Sequence, residues 1–209
     1  MEYRTLGKTG LRVSALGFGC GTVGGLIIRE EPRTRVRAVA RAIEAGINYF
    51  DTASMYGNGQ SEQNLGQVLN ELKPDVYVGT KVRIRPEEMG DLRGAIHRSV
   101  EASLTRMGRE QVDLIQLHNH IVQRRTPGEE TETALTSQEV LEEVITAFRQ
   151  LQADGKVRFY GITGWEKRPR CAKSSTPPSY TRYRCATTCS IRALALLCPK
   201  VSRARTLAC

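Results

Sequence analysis

Four side chains with complementary proton chemistry stand at related places along this chain. Asp51 closes the apolar run from Ile47 to Phe50, and Tyr56 follows it in a loop; Lys81 ends the run that begins at Val76, and His118 ends the run that begins at Val112. A phenol is a weak acid near neutrality, with an unperturbed pKa of about 10. An adjacent ammonium favours the phenolate, and a buried carboxylate paired to that ammonium fixes it in place. An imidazole adds a donor for negative charge developing on an oxygen. The four together deliver a proton to an oxygen, provided the fold brings them to one place. Each alone has an ordinary reading: a loop tyrosine packs on the surface, a lysine after a strand is solvated, and a single histidine is satisfied structure.

The elements that must position them are legible as alternating periods. Residues 2–14 hold two short alternating runs around a Gly-containing turn, which predicts a β-hairpin. Short apolar runs at 15–20, 47–50, 76–80, 112–117 and 157–162 predict strands. Between them, Val36, Val39, Ala40 and Ile43, and Leu92, Ile96, Val100, Leu104 and Met107, recur at three or four, which predicts helices with one buried stripe each. Pro32 and Asp91 stand where helices start; Gly46, Gly108 and Gly155 stand where they end. Strand and helix in alternation fit either a doubly wound sheet or a closed barrel. Asp51, Lys81 and His118 all fall at the C-terminal ends of strands, the arrangement of a (β/α)8 barrel mouth, and this favours the barrel.

With 209 residues and 40% hydrophobic content the chain is long enough for one packed domain. Its apolar runs fall well short of the roughly 18 residues a membrane-spanning helix needs, and the N-terminus lacks the apolar region of a signal peptide. The expectation is a cytoplasmic protein without membrane or nucleic-acid partners. The net charge of +9 hides two compositions: residues 1–164 hold 21 basic and 21 acidic side chains, whereas residues 165–209 hold ten basic residues, one acid and five of the six cysteines.

The stretch Gly46 to Gly57, Gly-Ile-Asn-Tyr-Phe-Asp-Thr-Ala-Ser-Met-Tyr-Gly, followed by Ser61-Glu62 and Leu65-Gly66, resembles the signature of the aldo/keto reductases. Further landmarks of that family are similar to Tyr3 through Ser14, Gly17 through Thr22, Gly79-Thr-Lys81 and Leu117-His118-Asn119, so the resemblance covers residues 2–164. It implies an α/β fold of the (β/α)8 TIM barrel type and a catalytic tetrad of Asp51, Tyr56, Lys81 and His118. Tyr56 would be the general acid, Lys81 its tuner, Asp51 the holder of Lys81, and His118 the donor to the substrate oxygen. The implied reaction is hydride transfer between NADPH or NADH and an aldehyde, ketone or aldose. Gly21, Thr22, Asp51 and Asn119 would lie near cofactor or substrate; His97 and His120 match nothing catalytic, and no metal site is expected.

Beyond Gly164 the resemblance stops. The family continues with three more β/α units that carry most of the dinucleotide site, and residues 165–209 show neither strand nor helix period. Codons shifted by one base permit strings similar to the family's next helix, strand and loop from Trp165 to Leu207, which predicts a tail read out of frame, irregular and disordered. The gene's nucleotides at these codons decide this. The fold expected is thus an incomplete barrel: the hairpin, about five β/α units and the tail. Such a barrel is expected to expose two sheet edges, to aggregate, and to have little or no reductase activity. Two alternatives follow from the tail: a non-catalytic remnant, and a basic interaction protein that uses Tyr180, Tyr183 and the surrounding charge. The Cys185 to Cys189 spacing fits no common zinc pattern.

Overall fold

The computed structural model describes residues 1–23, 25–125 and 134–163, so the expectations about the tail, including the frame shift and its disorder, lie outside the described residues. The chain opens with the expected hairpin, β1 (Tyr3–Thr5) against β2 (Arg12–Ser14), antiparallel with Tyr3 opposite Ser14. Gly7 and Gly10, at φ 52° and 74°, supply the left-handed backbone that turns it.

Next come β3 (Phe18–Gly19), α1 (Leu26–Arg29) and α2 (Pro32–Glu44). Then follow β4 (Tyr49–Asp51), α3 (Gln60–Leu72), β5 (Tyr77–Val82), α4 (Leu92–Met107) and β6 (Val112–Leu117). A two-residue parallel pair, β7 (Ile121–Val122) and β8 (Leu135–Thr136), leads into the single turn α5 (Ser137–Glu139). A π-helical turn over Val140–Val144 continues it into α6 (Ile145–Ala153), and β9 (Val157–Ile162) closes the described chain. The predicted boundaries reflect real chemistry: Pro32 sits at the first turn of α2, Asp91 caps α4 by accepting from the Gly94 amide at 2.9 Å, and Gly108 ends it at φ 61°. The first expected strand, 15–20, shrinks to Phe18–Gly19. Its opening residues bond elsewhere: the Ala15 amide donates to the Glu2 carbonyl and the Ser14 hydroxyl to the Leu16 carbonyl, both at 2.8 Å.

The main sheet runs β3-β4-β5-β6-β9, every neighbouring pair parallel and every strand beside its predecessor in sequence. A doubly wound sheet reverses that order at a switch point; here it does not reverse, and right-handed crossovers then stack the helices on one face, as in a barrel wall. The outer face, with Phe50, Val78, Val82, Ile115 and Leu117, forms the main core with Val39, Leu65, Ile96, Leu104 and Phe148 of the helices. The inner face holds a second cluster in which Tyr49 and Leu114 meet Leu11 and Val13 of the hairpin region, so the hairpin plugs the N-terminal end of the strands. Gly79 makes room for this plug: a Cβ there would stand 2.3 Å from the Tyr49 hydroxyl. Among the described residues β3 and β9 form the sheet's two edges.

Candidate active site

Parallel pairing continues past the strand ends and sets the loops of the mouth in place. The amides of Cys20, Thr52 and His118 donate to the carbonyls of Asp51, Gly79 and Val82 at 2.9, 2.9 and 2.7 Å. After Asp51 the chain coils through tight turns, with the Tyr56 amide donating to Ala53 at 3.1 Å. Positive φ at Gly57, Asn58 and Gly59 then redirects it into α3, which leaves Tyr56 above the end of β5.

Lys81 is 2% exposed and its ammonium spends three donors: to Asp51 Oδ2 at 2.6 Å, to the Thr52 carbonyl at 2.8 Å and to Tyr56 Oη at 3.4 Å. The Tyr56 and His118 rings meet edge-on with centroids 6.1 Å apart. The four side chains singled out from the sequence are therefore neighbours. Burial pushes the Asp51 carboxyl above its ordinary range, and the Lys81 ammonium opposes that rise. Burial, then the charges of Lys81, Arg83 and His120, push His118 from 6.5 down to about 4, so its imidazole is neutral at pH 7. The buried Cys20 thiol beneath them is pushed up by its burial and by Asp51, and stays protonated.

Two buried polar atoms of this group have no hydrogen-bond partner among the described residues, Asp51 Oδ1 and His118 Nδ1. A buried N–H without an acceptor is costlier and rarer than an under-used acceptor. The neutral ring is thus assigned its proton on Nε2.

A cleft of about 540 Å³ opens over these groups, lined by Gly19, Gly21, Thr22, Asp51, Tyr56 and His118 together with Val23, Met55, Arg83 and His120. Gly21 and Thr22 stand in the cleft wall. Asn119 does not: its amide is committed to the backbone of Ile84, accepting from N at 2.8 Å and donating to O at 2.9 Å. Arg83 and His120 were not singled out for this site. Each stands two residues past a member of it, Lys81 and His118, in the loops that follow β5 and β6.

A family model described as "Aldo/keto reductase family" matches residues 15–179. The chain belongs to the aldo/keto reductase family. An L-galactose dehydrogenase of Arabidopsis thaliana is 34% identical over 167 residues, 78% of this chain and 49% of the relative. A putative voltage-gated potassium channel subunit beta of Schizosaccharomyces pombe is 33% identical over 174 residues, 79% of this chain and 46% of that protein. Among solved structures, the holo form of an aldo-keto reductase from Bacillus halodurans superposes with a TM-score of 0.60 at 32% identity, over 78% of this chain and 50% of that one. An aldo-keto reductase from Klebsiella pneumoniae in complex with NADPH gives 0.59 at 27% identity, over 80% and 51%. This aldo/keto reductase chain spans about half the length of the curated relatives it matches. The barrel fold expected from the strand ends is that of these neighbours.

Proposed function

We propose that this chain is an NAD(P)H-dependent oxidoreductase site that reduces a small aldehyde, ketone or aldose, with Tyr56 as the proton donor. The observation that carries the reading is the Lys81 ammonium held between Asp51 at 2.6 Å and Tyr56 at 3.4 Å beneath an open cleft. As Tyr56 gives its proton to the substrate oxygen, the ammonium stabilises the phenolate left behind. Asp51 fixes that ammonium, which otherwise has freedom to turn on a flexible stem. Neutral His118, protonated on Nε2, donates a hydrogen bond that orients the carbonyl.

The residues present fit a nicotinamide ring. Asp51 Oδ1 is a buried acceptor without a partner, suited to an amide or ribose hydroxyl. A Cβ at Gly19 would meet nothing within 4 Å, and one at Gly21 would lie 3.6 Å from the Tyr56 ring, so glycine at both keeps that wall open for a flat ring. Gly21, Thr22 and Asp51 would hold the group, and when bound it supplies the hydride. The chain's own part is to orient the carbonyl and supply the proton.

The test is NADPH fluorescence titration of the purified chain, followed by absorbance decay with butanal. Weak binding and a low turnover are expected, as suits a chain with about half the length of its relatives, and Tyr56→Phe should keep the NADPH affinity and lose about 10²- to 10⁴-fold in turnover. Failure to bind NADPH, or full turnover by the Phe variant, overturns the reading.

A further inference from the structure

We infer that Arg83 makes the cleft selective for carbonyl substrates that carry an anionic group, a carboxylate or a phosphate; this rests on the reductase reading above. Arg83 and Met55 line the cleft with Tyr56 and His118, and the same two side chains also line a second concavity behind it. They form the ridge between the two, with the Arg83 guanidinium against the Met55 sulfur at 3.9 Å.

The second concavity holds three further arginines, and each has a carboxylate partner. Arg85 pairs with Glu87 at 3.7 Å, Arg98 with Asp91 at 3.0 Å and Arg106 with Glu62 at 2.6 Å. Arg83 has no ion pair among the described residues; a thioether is only a weak acceptor. In the cleft itself Asp51 is matched by Lys81 and His118 is neutral, which leaves the Arg83 charge uncompensated there. Its field already reaches the reacting end of the cleft, since it ranks after burial and Lys81 among the causes that hold His118 neutral. A guanidinium beside a partly enclosed cleft pairs with carboxylate or phosphate through two parallel hydrogen bonds.

The test compares kcat/KM for butanal against succinic semialdehyde, and for glyceraldehyde against glyceraldehyde 3-phosphate, in the full chain and in Arg83→Gln and Arg83→Lys. The anionic member of at least one pair is expected to be favoured, and the pair that shows the preference identifies carboxylate or phosphate. Arg83→Gln should cut that anionic-to-neutral ratio of kcat/KM about 10- to 100-fold, the scale of a charge-assisted hydrogen bond. Arg83→Lys should restore part of it. Turnover of neutral aldehydes with no anionic preference, or an Arg83→Gln effect on NADPH alone, overturns the inference and leaves the reductase reading intact. If no aldehyde turns over, the reductase reading fails, and titration calorimetry with succinate and with inorganic phosphate decides about Arg83. An affinity for either anion about 10-fold weaker in Arg83→Gln supports the anion site; equal or absent binding overturns it.

Discussion

Successive residues of β5, Thr80 on one face and Lys81 on the other, meet two ion pairs built to opposite specifications. On the outer face Thr80 donates to Glu62 Oε1 at 2.5 Å, and Arg106 donates to Oε2 from Nε at 2.7 Å, with its Nη2 at 2.6 Å. Glu62 is wholly buried, and both its oxygens are occupied. On the inner face Lys81 engages Asp51 through Oδ2 alone, and Oδ1 has no partner among the described residues. A saturated pair ties α3, β5 and α4 together and has no capacity to respond to anything else. A pair left open toward a cleft retains an acceptor for a ligand and a cation for a neighbouring phenol. On the proposed function, this difference is what separates a structural ion pair from a chemical one.

The outer pair should dominate stability. Arg106→Met leaves Glu62 buried with only Thr80, and is expected to cost about 3–5 kcal/mol in urea unfolding. Gly66→Ala strikes the same interface: a Cβ there would stand 2.4 Å from the Met107 carbonyl oxygen, where backbone cannot yield cheaply. A loss of about 3 kcal/mol is expected for it, with turnover per folded molecule unchanged. Lys81→Met should cost less stability, about 1–3 kcal/mol, because the Asp51 side chain keeps 25% exposure to the cleft. The same variant should abolish measurable turnover. Equal unfolding costs for Lys81→Met and Arg106→Met would break the distinction between the two faces.

A further effect is a pH dependence on the inner face. His118 titrates near 4 in the folded protein against 6.5 ordinarily, so between those values the unfolded chain binds the extra proton and the folded one does not. Stability is therefore expected to fall as pH drops from 6.5 to about 4, and to lose nothing further on this account below that. Comparing urea midpoints at pH 7 and 4.5 in the wild type and His118→Gln checks it; the variant should lose this part of the slope.

Much of the scaffold was readable without coordinates because its signals are local. The α4 stripe of Leu92, Ile96, Val100, Leu104 and Met107 is buried as its spacing predicts, and Asp91 and Gly108 bound it through their own caps. That Asp51, Tyr56, Lys81 and His118 stand as neighbours was likewise foreshadowed, since strand ends and a family signature single them out. Asn119 shows where such reading runs out. Its position suggested the cleft, but the amide serves Ile84, thirty-five residues away in sequence, and only the packing of two loops determines that. Arg35 was equally silent: it lies among the polar positions of α2, yet it is 8% exposed.

The sequence by itself determined the family, through its signature stretch, and the alternation of strands and helices, through spacing over a few residues; it also singled out Asp51, Lys81 and His118 near strand ends and Tyr56 in the loop past one. Tertiary structure alone decided which pair is saturated and which is open, that Lys81 divides its donors among Asp51, Thr52 and Tyr56, and that Arg83 faces the cleft without a carboxylate among the described residues. Those outcomes depend on distances between segments far apart in the chain, and such distances are set by the register of the sheet and the packing of the helices against it.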